Sequence, residues 1–155
     1  MPRHAETKLL PYSVEQMFDL VAAVERYPEF LPWCLGSRII KREAAEVHAD
    51  LLIGFKMFRE RWQSRIVMAR PETIDVHYVD GPFRHLDNRW RFERRPEGCA
   101  IDFYVDFEFR SRILGKVMSG LFGEAVHRMV RAFETRAHQI YGKESRASAL
   151  PSGLV

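Results

Sequence analysis

Aspartate is one of the residue types in this chain that could carry acid–base chemistry. Asp102 and Asp106 lie four residues apart in a segment of period-two alternation, so their carboxylates share one face of a predicted strand, as paired acid–base groups would. Arg89 and Arg91 occupy the polar face of the preceding segment. A cross-strand ladder of opposite charges explains the same spacing without catalysis, and we favour that interpretation.

The histidines do not indicate a metal site, because no two of them have the spacing of ligands on one helix face. His77 and His85 flank a predicted turn at Gly81-Pro82 and could meet across a hairpin, although such histidines commonly lie at the surface. We therefore expect no bound metal. The six histidines are His4, His48, His77, His85, His127 and His138.

Nucleophilic and nucleotide-binding signatures are missing as well. Cys34 and Cys99 fit neither a zinc knuckle nor a Cys-x-x-Cys redox pair, and we interpret both as ordinary reduced thiols. The chain contains no glycine-rich dinucleotide motif, phosphate-binding loop, zinc-protease helix or serine-hydrolase elbow. The sequence therefore does not favour an enzyme, and no required cofactor is expected.

The charge balance is compatible with an anionic membrane surface or with RNA. The net charge is +3 and the isoelectric point is about 9.0, with more arginine than lysine. Many arginines stand beside carboxylates in the sequence, so no clustered basic patch is established. The surface arginines that RNA would contact include Arg61, Arg65, Arg89, Arg91, Arg128 and Arg131.

Length and composition favour a single globular domain. The 155 residues, 46% of them hydrophobic, can enclose one core or an internal cavity without disulfides. No apolar run approaches the roughly 18 residues that span a bilayer, and residues 1–8 resemble neither a signal peptide nor an organelle presequence. We expect a cytoplasmic protein, with residues 1–142 as the domain and 143–155 as a disordered tail.

Period-two patterns predict an antiparallel sheet between about residues 37 and 110. Turn residues at Pro71, Gly81-Pro82 and positions 96–98 separate successive segments. Such short turns predict a meander of about six to seven strands with one wet face. The apolar side chains of the last segment share one face: Ile101, Phe103, Val105, Phe107 and Phe109.

Helical patterns precede and follow the sheet segment. Ser13 and Gln16 have the capping-box spacing at the start of a short amphipathic helix. From residue 113 to 141 the apolar period is 3.6, which predicts one long helix of about 40 Å lying across the sheet. Three glycines near the start of this helix weaken its first turns and favour a bend there.

The connector after the first helix contains Pro28 and Pro32 and is rich in aromatic residues. The proline at 28 favours a second short helix. Phe30, Leu31 and Trp33 are too apolar to lie wholly in water. These three side chains either gate an interior cavity or insert into a membrane interface, or they close one end of the core, and the sequence leaves these alternatives open.

The predicted strand face and the helix that covers it are both rich in large apolar side chains. A concave sheet under a helix encloses either a filled core or an apolar ligand pocket. The filled core is the simpler interpretation, because the spacing of side chains does not distinguish a filled interior from a hollow one.

Three segments carry a family resemblance. Residues 20–34, LVAAVERYPEFLPWC, are similar to the signature V-x-x-Y-P-x-F-L-P-W-C, and residues 81–92, GPFRHLDNRWRF, to G-P-F-x-x-L-x-x-x-W-x-F. Residues 121–137, LFGEAVHRMVRAFETRA, resemble the terminal helix of the same family. The chain thus resembles the coenzyme Q binding protein family, which includes bacterial RatA proteins, within the START-like, helix-grip superfamily.

This resemblance implies an α+β helix-grip fold, in which a curved antiparallel sheet wraps around a long C-terminal helix and two short helices follow the first strand. It also implies that the chain holds ubiquinone or another apolar lipid in a cavity between sheet and helix. Such a protein supports cellular respiration as a lipid chaperone, with peripheral contact to the cytoplasmic face of the inner membrane. The residues expected to line the cavity are Leu86, Trp90, Phe92, Phe103, Val105, Phe107, Met118, Leu121, Phe122, Ala125 and Met129.

Two other functions follow from the same resemblance. RatA members are described as toxins that bind a ribosomal subunit and block subunit association, which implies salt-sensitive contacts between surface arginines and ribosomal RNA. Other START-like branches are aromatases or cyclases, and this chain shows no placed acid or base for that chemistry. We rank the quinone carrier first, the ribosome second and the enzyme last. Nothing in the pattern indicates an oligomeric state.

Overall fold

Seven strands form one antiparallel sheet in the part of the chain that the structure describes. This structure is a computed structural model that describes the backbone of residues 3–55 and 58–154, and their side chains except at 55, 58, 118, 119 and 143–154. The strands are β1 Arg3–Leu10, β2 Cys34–Arg42, β3 Glu46–Phe55, β4 Phe58–Ala69, β5 Thr73–Asp80, β6 Phe83–Arg95 and β7 Gly98–Phe109. Across the sheet they follow the order β1-β7-β6-β5-β4-β3-β2, so the first strand joins the last.

The helices lie before and after the main run of strands. They are α1 Val14–Ala22, a 3-10 helix at Val24–Glu29, α2 Arg112–Ser119 and α3 Phe122–Leu154. Together with the seven-stranded sheet, this order confirms the expected helix-grip fold. No helix in the described ranges combines the length and apolarity needed to cross a membrane.

Local sequence explains α1 directly. The Ser13 side chain accepts a hydrogen bond from the Gln16 backbone N–H at 3.0 Å, and the Gln16 side chain accepts one from the Ser13 N–H at 3.0 Å. This reciprocal capping box satisfies two backbone donors at the helix start, as the spacing predicts. The buried face of α1 carries Val14, Met17, Phe18, Leu20 and Val21.

The C-terminal helix differs from the expectation of one continuous rod. It is divided into α2 and α3 at Gly120 and Leu121. A Cβ atom at Gly120 would meet no atom within 4 Å, so packing does not demand glycine there. The low helix propensity of glycine is the local reason for the break.

The later part of α3 lies across the sheet. Phe133 is buried and its ring packs edge-on against Trp90 of β6, with centroids 5.2 Å apart. Lys8 of β1 pairs with Glu134 at 3.1 Å. The backbone of α3 continues to Leu154, beyond the helix end that the periodicity indicates, and the domain limit at residue 142 stays a prediction.

The outer face of the sheet carries charge pairs, in a different pairing from the expected one. Arg91 pairs with Asp75 of β5 at 3.0 Å, and Arg89 pairs with Asp87 on its own strand at 3.0 Å. Asp102 instead accepts a hydrogen bond from Thr7 at 2.6 Å. The described ion pairs therefore do not include the expected ladder between Arg89 or Arg91 and Asp102 or Asp106, and the structural role of these aspartates stays a prediction.

The histidine positions agree with a structural role. His85 contacts Asp106 at 3.5 Å. His77 lies opposite Asp87 in the β5–β6 register, so the two histidines that flank the turn do not face each other. Among the described residues, no group of three or more His, Cys, Asp or Glu side chains is arranged to hold a metal ion.

Candidate functional site

An internal cavity of about 220 Å³ lies between the inner face of the sheet and the helices. The sheet contributes side chains from five strands, and on each strand these side chains alternate with outward-facing ones. The described sheet residues on the cavity wall include Leu51, Ile53, Trp62, Ser64, Ile66, Ile74, Val76, Leu86, Asn88, Trp90, Phe103, Val105, Phe107 and Phe109. A continuous apolar wall results from the period-two pattern.

The helices cover this wall. Leu114 of α2 and residues of α3 at helical spacing face the cavity, and α1 contributes Val21. The α3 residues are Phe122, Ala125, Val126, Met129 and Phe133. Because these positions are separated by three or four residues, they form one stripe of the helix, and Ala125 is the smallest side chain in it.

The structure brings together eight of the eleven residues predicted from sequence. On the cavity wall are Leu86, Trp90, Phe103, Val105, Phe107, Phe122, Ala125 and Met129. The described lining does not include Phe92 or Leu121. The Met118 side chain lies outside the described part of the chain. That these residues contact a ligand stays a prediction.

Phe92 has the correct phase but lies beyond the end of the cavity. Its ring packs edge-on against Phe18 of α1, with centroids 5.6 Å apart, and stacks beside Trp90 at 6.5 Å. The side chain is therefore part of the filled core. Leu121 is half-buried between α2 and α3, where the helix is interrupted.

Cavity residues on β3, β4 and β5 were not predicted from the sequence. Trp62 and Ile66 on β4 and Ile74 on β5 line the cavity through the same alternation that identified β7. The signal was present in the period-two pattern. That pattern shows which side chains face inwards, but it does not show how far along the sheet the helices fill the interior. It therefore could not identify these residues as cavity wall.

The aromatic connector forms one wall of the cavity. Leu31 is buried, and Tyr27, Leu31 and Trp33 all line the cavity. The rings of Tyr27 and Phe30 pack edge-on against Phe133 of α3, with centroids 5.5 Å and 5.3 Å away. Leu31 therefore helps to close this end of the core, whereas Phe30 and Trp33 are half-buried and their contact with a membrane stays a prediction.

A polar clasp holds the connector onto α3. The Arg136 guanidinium lies 2.6 Å from Glu29 and 5.2 Å above the Phe30 ring. The hydrogen bond from Arg136 lowers the pKa of Glu29 below its ordinary value. The clasp therefore joins an ion pair to the aromatic contact between connector and helix.

Three polar side chains on the cavity wall already have partners. The Asn88 amide donates to the Tyr104 carbonyl at 2.8 Å and accepts a hydrogen bond from Trp90 Nε1 at 3.1 Å. The Tyr27 hydroxyl donates to the Val21 carbonyl, and burial raises the pKa of Tyr27. Trp62 differs, because its Nε1 atom is buried and has no hydrogen-bond partner among the described residues.

The thiols do not form a reactive site. Burial raises the pKa of Cys34 and of Cys99 to about 11, so both are neutral near pH 7. Neither cysteine belongs to the described lining of the cavity. The carboxylate in that lining is Glu60, which is exposed. The arrangement therefore suits binding of an apolar molecule, since the described wall holds no paired acid and base.

The chain matches a known family over most of its length. A family model described as "Polyketide cyclase / dehydrase and lipid transport" matches residues 10–134. Among solved structures, a START superfamily protein from Mycobacterium smegmatis superimposes with a TM-score of 0.76 at 19% identity, covering 89% of this chain and 98% of that one. At this identity the likeness concerns the fold alone, which agrees with the expected helix-grip architecture.

Two curated relatives are similar in sequence. The mitochondrial coenzyme Q-binding protein COQ10 homolog B of Xenopus laevis is 38% identical over 91% of this chain, and this chain spans 60% of that protein's length. The ribosome association toxin RatA of Rickettsia prowazekii is 36% identical over 86% of this chain and 94% of its own length. One relative is named for a ligand and the other for a ribosomal partner.

Proposed function

Because the chain belongs to the polyketide cyclase/dehydrase and lipid transport family, we propose that it binds ubiquinone as a carrier that supports respiration and catalyses no reaction. The observation that carries this proposal is the apolar cavity of about 220 Å³ under α3. The name of the 38% identical relative, a coenzyme Q-binding protein, agrees with it. Ubiquinone is the cargo in this proposal, and no cofactor is required.

The cavity volume limits which part of the quinone is enclosed. An apolar cavity of about 150 Å³ is large enough to bind benzene in another protein. A cavity of about 220 Å³ therefore accommodates a substituted quinone ring and the first part of its tail. The remaining tail exceeds this volume and lies outside it in this proposal. Each buried CH₂ contributes roughly 0.8 kcal/mol to binding.

Exposed apolar side chains beside the cavity suit peripheral contact with the inner membrane. Leu35 packs over Gly54, a residue of the cavity wall, and is 43% exposed. Leu52 on the neighbouring strand is 40% exposed and lies opposite Gly36. A membrane contact at this position would place the cavity next to the lipid phase from which an apolar ligand is taken.

Lipid extraction tests this function. The protein is purified without detergent and extracted with organic solvent, and the released compounds are quantified by mass spectrometry per mole of protein. We expect close to one ubiquinone per chain, either carried from the cell or taken up from added quinone. A folded protein that releases no quinone and takes none up would contradict the proposal.

Ribosome binding is the second candidate, favoured by the name of the RatA relative. Of the six arginines considered for RNA contact, five lie within 3.4 Å of a carboxylate: Arg61, Arg65, Arg89, Arg91 and Arg128. Arg131 contacts His127 at 3.2 Å. Paired charges attract phosphate less strongly than free ones, so this candidate ranks below the carrier.

Sedimentation with ribosomal subunits tests the second candidate. A ribosome-binding protein would sediment with one subunit at low salt and dissociate as the salt concentration rises. Absence of the protein from every ribosomal fraction at low salt would count against it. A cyclase activity ranks third, because the described cavity wall offers no acid and base side by side.

A further inference from the structure

The buried indole N–H of Trp62 is an unusual feature of the cavity wall. A buried tryptophan N–H normally finds an acceptor, because leaving a donor unpaired away from water is costly. Trp62 Nε1 is buried and has no partner among the described residues, while the ring itself lines the cavity. The unpartnered donor therefore belongs to a side chain that a molecule in the cavity would contact.

Neighbouring groups hold the Trp62 ring in place. Phe83 packs edge-on against it with centroids 5.5 Å apart, and Trp33 lies tilted beside it at 6.4 Å. Gly81 approaches the backbone so closely that a Cβ there would lie 2.8 Å from the Arg61 carbonyl and 3.2 Å from Trp62 Cα. The indole is thus fixed on a strand and does not depend on a loose loop for its position.

Two other nitrogen donors on this wall are already used within the protein. Trp90 Nε1 donates to the Asn88 side chain, and Asn88 donates to the Tyr104 carbonyl. Ser64, next on the inner face of β4 after Trp62, is 1% exposed and adds a hydroxyl to the same wall. Trp62 and Ser64 therefore place two polar groups at successive inward-facing positions of β4.

We propose that Trp62 Nε1 donates a hydrogen bond to a carbonyl oxygen of the bound ring. The indole N–H is a donor only, so its partner must be an acceptor, and a quinone carbonyl is one. Trp62 then makes the cavity select quinones over hydrocarbons of the same shape. This inference rests on the proposed function, because it assigns the group that recognises the head of the ligand.

A matched pair of ring compounds tests the inference. Duroquinone and durene share a tetramethyl six-membered ring and differ in the two carbonyl oxygens. Calorimetric titration of the full chain should show duroquinone binding about tenfold more tightly than durene, the size of effect that one buried hydrogen bond produces. In Trp62→Phe the affinity for duroquinone should fall about tenfold, and the affinity for durene should not fall.

Val76→Ala is the control variant, because it changes an apolar side chain of the cavity wall and leaves every tryptophan N–H in place. It should change the affinities for duroquinone and durene by the same factor. Equal affinities of the natural chain for the two compounds, or an equal loss of both in Trp62→Phe, would show that Trp62 is only an apolar wall. In that case the cavity and its carrier function would remain.

A measurement on the unaltered protein covers the case in which Trp62→Phe does not fold. The chain has three tryptophans, so its indole N–H resonances can be assigned with single Trp→Phe variants. Duroquinone should move the Trp62 indole proton downfield, and durene should not. The same response to both compounds would overturn the inference. Binding of neither compound to folded protein would overturn the inference and the carrier function together.

Discussion

Trp90 and Phe92 lie two residues apart on the same face of β6 and have different surroundings. Phe92 packs against Phe18 of α1 in a filled core. Trp90 forms part of the cavity wall. The filled end is covered by α1, where Met17 and Phe18 are 1% and 2% exposed. The cavity end is covered by α3, whose stripe includes the small side chain of Ala125.

The comparison shows that one strand pattern can build both a core and a cavity wall. Alternation on β6 only decides that Trp90 and Phe92 face inwards. The volume of the side chains that approach from the helices decides whether the space above is filled. The two ends should therefore respond differently to changes in side-chain volume, thiol modification and pH.

The largest effect is expected from removing a ring at the filled end. Phe92→Ala should lower the free energy of unfolding by about 3–5 kcal/mol, since its neighbours cannot close the new space. Urea unfolding measures this change. Phe107→Ala on the cavity wall should cost less, because part of that ring borders the open cavity. Equal losses in the two variants would mean that both ends are packed alike.

Filling the cavity should remove ligand binding without unfolding the chain. Ala125→Met adds a long side chain from α3 to the space between helix and sheet, and quinone uptake should fall at least tenfold. The free energy of unfolding should change by less than about 1.5 kcal/mol, because the added atoms occupy empty volume.

Gly123→Met is the control for this variant. A Cβ at Gly123 would meet no atom within 4 Å, so the same side chain is added outside the cavity. Its quinone uptake, measured by extraction and mass spectrometry, should equal that of the natural chain. Undiminished uptake by Ala125→Met would show that the ligand binds elsewhere.

The two thiols should report the different stabilities of edge and centre. Cys34 begins the edge strand β2, whereas Cys99 lies in β7 between two paired strands. Local opening of the sheet costs less free energy at an edge strand than at a central one. Iodoacetamide at pH 8 should therefore alkylate Cys34 faster than Cys99, and mass spectrometry over time measures the two rates. Both should react at once in urea. Faster reaction of Cys99 would place the weaker part of the sheet at β7.

The same thiols predict a loss of stability in alkali. The raised pKa values mean that the folded chain holds these protons more tightly than the unfolded chain, whose thiols titrate near 9. Stability from this source is complete below about pH 9 and decreases as the pH rises towards 11. Thermal unfolding of Cys99→Ala should show a shallower decline over this range than that of the natural chain.

The smallest effect is expected at the clasp between connector and α3. The lowered pKa of Glu29 means that its ion pair with Arg136 stabilises the folded chain above the unfolded pKa of about 4.3 and is lost as the pH falls. Glu29→Gln should therefore lower Tm at pH 7, with a difference from the natural chain that closes below about pH 4. Exposed Glu97→Gln should leave Tm unchanged. A difference that persists in acid would assign the effect to the variant's packing.

Much of the fold follows from short-range patterns. The Ser13–Gln16 capping box, the alternation of β7 and the turn glycines at 81 and 98, both at positive φ, were all predictable or visible in the chain. These features depend on neighbours a few residues away. For the break between α2 and α3, the sequence predicted only a bend. Glycine lowers helix propensity, but this effect does not determine the residue at which a helix ends.

The candidate site was predicted less completely, for a physical reason. Leu86, Phe107 and Met129 were correctly placed on the wall, but Trp62 was not assigned to it. The role of Trp62 depends on what lies opposite it and on the absence of an acceptor for its N–H among the described residues. The surroundings of the ring and the lack of an acceptor both depend on residues that are distant from Trp62 in the chain.

The sequence by itself determined which side chains face inwards, where the turns fall and which family the chain resembles, since periodicity and local motifs act over a few residues. The tertiary structure decided that the interior is filled beside Phe18 and open beside Trp62, and that the connector closes one end through Phe30 and Phe133. A cavity is the volume left over when distant surfaces meet, so no local pattern contains it.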